Sequence, residues 1–302
     1  MNKLDIRLKI AYLTNSIIPS KFANSVHVMK MCYYLSSKYK YNVTLFGINN
    51  NIKSLKKIHE IYGTKETFKI NLFKKYKNKI QIIIFHLKIF FYLFNFQVIY
   101  CRHPFFLFSL IFLRKKFILE LHDLRVFKSN FYFRIYNYIL YNKKLISIIL
   151  ISNQLKIDFI KIYPKLKNKI YVAHDGSSTF DKNKINTSFS LNNKYSFNVI
   201  YVGSLHPGKG LEIIKPLSSY FNNYGFHIIG GNNYELEKYK NDFKDQKNIF
   251  FYGYINHKEI KNFIYLSDLC LLPNLPDVKI YSKNKHIDIG KYTSPLKMFD
   301  YM

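Results

Sequence analysis

Cysteine is scarce in this chain: Cys32, Cys101 and Cys270 stand alone among 302 residues, too few and too far apart for a disulfide framework or a zinc site. A reducing compartment suits that usage. The N-terminal segment MNKLDIRLKIAYLTNSIIPS has no uninterrupted apolar core before Thr14, Asn15 and Ser16, so no export is implied. Long apolar runs are missing too. Ile80 to Phe94 is broken by His86 and Lys88, and Phe105 to Leu113 falls far short of the roughly 20 residues that span a bilayer. Both read as core or interfacial helices. Carboxylates are few: 18 Asp and Glu face 47 Lys and Arg, a formal charge of +29. Such a field attracts polyanions, yet no arginine-rich tail or basic block stands apart from the folded pattern. Dedicated nucleic-acid binding is therefore not expected, and weak association with an anionic lipid surface fits better. The expected location is the cytoplasm, with peripheral attachment to the membrane face.

What is present is a chain of globular composition. Apolar residues make up 48%, enough for real cores, and the length suits two domains. Leu8 to Thr14 predicts a first strand, Asn24 to Ser37 a helix that Asn24 or Ser25 can cap, and Asn42 to Phe46 a second strand. Asn49 to Tyr76 reads as a lysine-rich surface loop with one or two short helices. Then follow a helix over Lys79 to Phe94, a strand over Gln97 to Cys101, a helix over Pro104 to Leu113, and a strand over Lys116 to Leu121. Leu145 to Ile151 is another strand, Ser152 caps the helix after it, and Ile170 to Ala173 closes the first domain. Asp181 to Ser196 is polar and unpatterned, as in a linker. Strands and helices alternate again from Asn198 to Leu272. That alternation predicts parallel sheets with helices on both faces, and a ligand site beyond the strands' C-terminal ends.

The stretch Asn198 to Ile214, NVIYVGSLHPGKGLEII, organises the second half. It reads as a buried strand, a glycine turn and the first turn of a helix. Gly203 ends the strand, Gly208 and Gly210 let a ligand approach the backbone, Lys209 adds charge, and a helix starting near Gly210 aims free N–H groups at the same point. Three readings are open: a phosphate site, a plain strand-to-helix turn, and a P-loop. The last lacks one element, because Gly210 stands where a P-loop needs Ser or Thr for Mg²⁺, and Pro207 removes an N–H.

Seven pieces, in order, carry a family resemblance: PSKFANSVHVMK at Pro19 to Lys30, ELHD at Glu120 to Asp123, HDG at His174 to Gly176, YVGSLHPGKG at Tyr201 to Gly210, FFYGYINHKEI at Phe250 to Ile260, DLCLLPN at Asp268 to Asn274, and YTSPLKMFDYM at Tyr292 to Met302. Together they resemble the retaining glycosyltransferases of the GT-B fold, in particular glycosyltransferase family 4. The resemblance implies two Rossmann-like, doubly wound α/β domains facing a cleft: an acceptor-side domain over 1–180, a linker over 181–197, and a nucleotide-sugar domain from 198 to 302. It also implies a sugar moved with retention from a nucleoside diphosphate to a glycan or lipid-linked acceptor, in cell-surface polysaccharide synthesis, with no metal ion and no cofactor.

Site roles follow from the same resemblance. Lys209 matches the lysine that neutralises the donor diphosphate, whose charge grows as it leaves. The family's companion arginine falls on Ser204, so one cation is absent. Gly203 and Gly208 belong to the same donor loop. Thr293, Ser294 and Leu296 match the amides that meet the diphosphate or sugar. Asp300 takes the place of the glutamate that holds the ribose, and Tyr292 that of its partner glutamate. Gly253 and Tyr254 match the segment lining the base. Asn24 and Ser25 match the loop approaching the donor phosphate, and His122 the histidine near the reacting sugar. Arg102 and His103, just after a strand, are candidates for an acceptor phosphate or acidic sugar. His174 and Asp175 are expected to shape an interdomain turn. Relative to the family, the chain stops inside the helix bearing Asp300. An incomplete second domain is therefore expected, and with it either an enzyme completed by another polypeptide or a catalytically silent nucleotide-sugar-binding protein.

Overall fold

The computed structural model describes residues 7–50, 54–110, 113–124, 127, 130–177, 185, 190–191, 194–276, 278–282, 285–288, 290–292 and 296–302. The chain divides into two compact units, Met1–His174 and Asp175–Met302.

The first unit is a seven-stranded parallel sheet. Its strands are β1 (Lys9–Ile18), β2 (Asn42–Asn49), β3 (Lys69–Phe73), β4 (Val98–Cys101), β5 (Lys116–Leu121), β6 (Leu145–Leu150) and β7 (Ile170–Val172). Their order is β3-β2-β1-β4-β5-β6-β7. The chain runs outward from β1 in one direction, then returns to lay β4 on its other side. That reversal makes the point between β1 and β4 the switch point of a doubly wound sheet. Helices α1 (Ala23–Ser37), α2 (Leu55–Tyr62), α3 (Lys79–Leu93), α4 (Leu107–Leu110), α5 (Asn130–Leu140) and α6 (Asn153–Ile162) occupy the connections. Tyr12, Leu45, Val28, Met29 and Cys32 are fully buried between β1, β2 and α1, as the near-continuous apolar strands require.

Several local expectations change. The strand β3 falls inside the stretch expected as loop; its partly buried Ile70 and Leu72 alternate with polar neighbours and pack against the core. The N-cap of α1 is Phe22, without a side-chain cap bond, rather than Asn24 or Ser25. Pro104–Phe106 is a 3-10 turn leading into the single turn α4, not one long helix. Helix α5 has no counterpart among the elements expected from sequence. Ser152 does cap α6, accepting the Leu155 N–H at 3.2 Å.

The second unit has a four-stranded parallel sheet of β8 (Phe197–Val202), β9 (Tyr224–Ile229), β10 (Ile249–Gly253) and β11 (Leu269–Cys270), in the order β10-β9-β8-β11. It repeats the outward-and-return path, so its switch point lies between β8 and β11. Helices α7 (Leu211–Tyr220), α8 (Asn233–Asp242) and α9 (His257–Tyr265) alternate with the strands, followed by an antiparallel hairpin, β12 (Lys279–Ser282) and β13 (Lys285–Asp288), and the short α10 (Leu296–Tyr301). Val199, Tyr201 and Ile214 fill one face of the sheet, and Ile200, Ile229 and Phe263 the other. Leu191 is buried with that second group, although it lies in the stretch expected as linker; most of that stretch falls outside the described residues.

Candidate active site

Glycines close three adjacent strands of the second unit: Gly203 after β8, Gly230 after β9, and Gly253 at the end of β10. Gly203 N–H donates to Ile229 O at 2.9 Å, and Gly230 N–H to Gly253 O at 2.7 Å. A Cβ on Gly230, at φ 119°, would lie 1.9 Å from Gly203 O, so the strand ends approach one another only because no side chain intervenes. The result is a bare backbone floor at the carboxyl edge of the sheet.

The turn after Gly203 is fastened by a carboxylate. Gly208 N–H donates to Glu212 Oε1 at 3.0 Å and Gly210 N–H to Glu212 Oε2 at 3.2 Å. These amides fasten the turn to the first turn of α7. Gly210, at φ 104°, is the N-cap of α7, and a Cβ there would meet Pro273 O at 2.3 Å. Glycine is thus required for the loop to pack on the segment after β11, whose Leu275 N–H donates to Gly208 O at 2.9 Å.

Cations, rather than amides, distinguish this edge. Lys209 is partly buried, and burial lowers its pKa from the ordinary lysine value. Beside it is Lys297 on α10. Tyr301, four residues on, accepts the Val202 N–H at 2.9 Å and pins α10 to β8. Residues at i and i+4 share a helix face, so Lys297 is carried inside with it. Its Nζ lies 3.9 Å from the centroid of the Tyr201 ring and is buried with no hydrogen-bond partner. Burial, then the charge of Lys209, drives its pKa down to about 7. Ser204 presents its carbonyl to Tyr201 Oη at 2.7 Å. Just past β11, Asn274 Oδ1 is another buried polar atom without a partner.

In the first unit, the strand period of two sets Tyr100 and Arg102 on one face at the end of β4, and Glu120 and His122 on one face at the end of β5. Glu120 is 2% exposed. Tyr100 Oη donates to its Oε2 at 2.5 Å, Arg102 Nε donates to Oε1 at 3.1 Å, and His122 Nε2 lies 2.5 Å from Oε1. His27 Nε2, from α1, is 3.6 Å from that oxygen. Burial alone would raise the Glu120 pKa; the hydrogen bond from His122, the nearby His27 ring and the charges of His122 and Arg102 outweigh it and hold the carboxyl well below the usual range. Burial, then this anion, raises the phenols of Tyr12 and Tyr100, which stack at 4.7 Å between centroids. Glu120 therefore fixes the His122 ring.

The remaining sequence candidates are distributed as follows. Arg102, its side chain 9% exposed, is committed to Glu120. His103 Nδ1 accepts the Phe105 N–H at 3.2 Å, supporting the 3-10 turn. Asn24 is exposed; Ser25 is buried, and its hydroxyl lies 2.8 Å from Phe22 O within its own turn. Tyr254 is 39% exposed next to Gly253. Asp300 Oδ1 accepts the Ser177 hydroxyl. Leu296 begins α10, while Thr293 and Ser294 lie outside the described residues. Sequence reasoning missed Lys297 and Glu120. Both had a signal: Lys297 stands four residues before a tyrosine in an apolar turn, and Glu120 two before His122 in an otherwise apolar strand.

No family model matches the chain, and no curated protein matches it in sequence. Solved structures do match in fold. HepE from Anabaena, in complex with UDP and glucose, is 18% identical over 87% of this chain and 73% of its own, with a TM-score of 0.61. Sucrose-phosphate synthase from Thermosynechococcus elongatus is 13% identical over 89% and 76%, TM-score 0.61. Trehalose-6-phosphate synthase, OtsA, is 11% identical over 89% and 79%, TM-score 0.63. These neighbours are glycosyltransferases, and the chain shares their GT-B fold, two Rossmann-like α/β units.

Proposed function

We propose that the chain is a glycosyltransferase that takes its sugar from a nucleoside diphosphate. The observation that carries this is the Lys209–Lys297 pair: a buried ammonium without a hydrogen-bond partner, coupled to a second ammonium at the carboxyl edge of a doubly wound sheet. Two cations held together call for a ligand with more than one negative charge, which a diphosphate supplies. Lys297 offers the second cation that Ser204 does not. As the sugar–phosphate bond breaks, charge accumulates on the leaving diphosphate, and preorganised ammonium groups stabilise that change without reorganisation. The bound anion in turn favours the protonated form of Lys297. HepE was solved with UDP and glucose, which makes UDP-sugars the first donors to try.

In this reading Gly253 and Tyr254 lie along the base, Asp300 meets the ribose, and Asn24, Ser25, Gly203, Thr293, Ser294 and Leu296 belong to the donor site. His122, oriented by Glu120, acts at the reacting sugar, and His103 with Arg102 at the acceptor, a glycan or lipid-linked acceptor of cell-surface polysaccharide synthesis. Transfer proceeds with retention. The test is an assay with UDP-, GDP- and ADP-sugars against glycan acceptors, the anomer of the product being read by NMR. Lys209→Ala should weaken nucleotide binding, and His122→Ala should mainly slow transfer. Parent rates in both variants would refute the site, an inverted product would refute retention, and binding without transfer to any acceptor would leave a nucleotide-sugar-binding protein.

A further inference from the structure

Helix α3 is apolar nearly all round, a composition that normally marks a helix enclosed on every side. Here one side is enclosed and the other is bare. Phe85, Ile89 and Leu93 are buried, whereas Ile80 is 68% exposed, Ile83 60%, Leu87 53% and Phe91 67%. With Ile84 and Phe94, also exposed, these positions fall within an arc of about 100° at the 3.6-residue turn. They form one stripe opposite the buried face. Large apolar side chains exposed along a stripe this long mark an interaction surface.

Charge identifies what covers it. From Thr67 to Leu119 the sequence contains no Asp or Glu. Lys74, Lys75, Lys77 and Lys79 are exposed at the start of the helix, and Lys88 on its flank. Lys115 is tied to its end, donating from Nζ to Phe94 O at 2.8 Å. A second copy of the chain would bring the same lysines against these, with no carboxylate in the segment to relieve them. An anionic bilayer surface suits both features, since phosphate-bearing headgroups match the lysines and the acyl boundary takes the stripe. The helix has 15 residues, about 22 Å at 1.5 Å per residue, and no helix among the described residues is long and apolar enough to cross a membrane. A helix of this length with one apolar side suits the plane of such a surface.

We infer that the exposed face of α3, with Ile83, Leu87 and Phe91 at its centre and the lysines around it, docks the N-terminal unit onto an anionic lipid bilayer. The inference is independent of the transfer reaction. Such docking would hold the first unit beside a lipid-linked acceptor.

The chain has no tryptophan, so Phe91→Trp creates a single emitter on the stripe, and Tyr220→Trp, at a site 82% exposed, a control elsewhere. Each variant is titrated with vesicles of phosphatidylcholine alone or mixed with phosphatidylglycerol. The emission of the Phe91→Trp variant should shift to the blue and be quenched by acyl-labelled lipid with the anionic vesicles, much less with the neutral ones, and less again in high salt, while the control stays unshifted. Replacing Lys74, Lys75 and Lys77 by Gln should weaken vesicle binding about a hundredfold, from roughly fivefold per lysine. No shift at position 91 with any vesicle at low salt would overturn the inference. So would a blue shift without lipid that grows with protein concentration, which would place a second copy on this face.

Discussion

At the scale of single residues, the least ordinary group is Lys297. An ammonium taken from water without a hydrogen-bond partner costs stability, only partly offset by the face of Tyr201. With its folded pKa at about 7 against an ordinary 10.5, the folded protein has released a proton between those values that the unfolded chain still holds. Stability therefore rises with pH across that window, and below it the folded state bears the full burial cost. Lys297→Met should accordingly be the more stable protein at pH 6, by roughly 1 kcal/mol or about 2–4 °C in melting temperature, and the gain should shrink as pH climbs toward 10. A thermal-melt series in pH checks this, and a Met variant less stable than the parent at pH 6 would contradict it. His227 works in the opposite region. It is fully buried between Tyr252 Oη at 2.8 Å and Asn198 Oδ1 at 2.9 Å, and burial pushes its pKa from 6.5 down to about 4. Protons bind the unfolded chain first, so stability is lost as pH falls from about 6.5 through 4. In His227→Gln that part of the acid limb should flatten; an unchanged limb would assign the loss to other groups.

The elements explain where sequence reasoning succeeds and where it stops. Strands such as β5 and β8 are legible because apolar runs bounded by glycine or polar residues have few alternatives to a buried strand. Helix α3 is legible in extent but not in its surroundings: an all-apolar pattern does not say which side the sheet covers. The strand β3 is hidden because its short alternation, KINLF, sits among lysines, and only pairing with β2 makes it a strand. The glycine turn announces its freedom of backbone, yet its amides are claimed by Glu212, a contact between helix and loop that spacing alone does not reveal. Glu212→Ala should cost about 1–3 kcal/mol by stranding the Gly208 and Gly210 amides, read as a lowered denaturation midpoint, while Glu212→Gln should retain part of that loss. Equal stability of all three proteins would remove Glu212 from its assigned role.

For the whole molecule, two doubly wound sheets with the same outward-and-return strand order each carry a chemical cluster at the carboxyl ends of their strands. One gathers Tyr100, Arg102 and His122 on the buried Glu120; the other gathers Lys209 and Lys297 over a glycine floor. The first half of each cluster is visible as motif residues, and the second half depends on tertiary neighbours, β4 against β5 and α10 against β8. In the proposed function, the second cluster binds a diphosphate through both lysines. Calorimetric titration of UDP and UMP into the parent chain and Lys297→Met, with metal ions chelated, tests it most directly. UDP should bind the parent chain without metal, and UMP at least about tenfold more weakly. Loss of one charged hydrogen bond should cost Lys297→Met about 10- to 100-fold in UDP affinity and little in UMP affinity. Equal affinities for UDP and UMP, or a Lys297→Met variant that holds UDP as tightly as the parent, would contradict it.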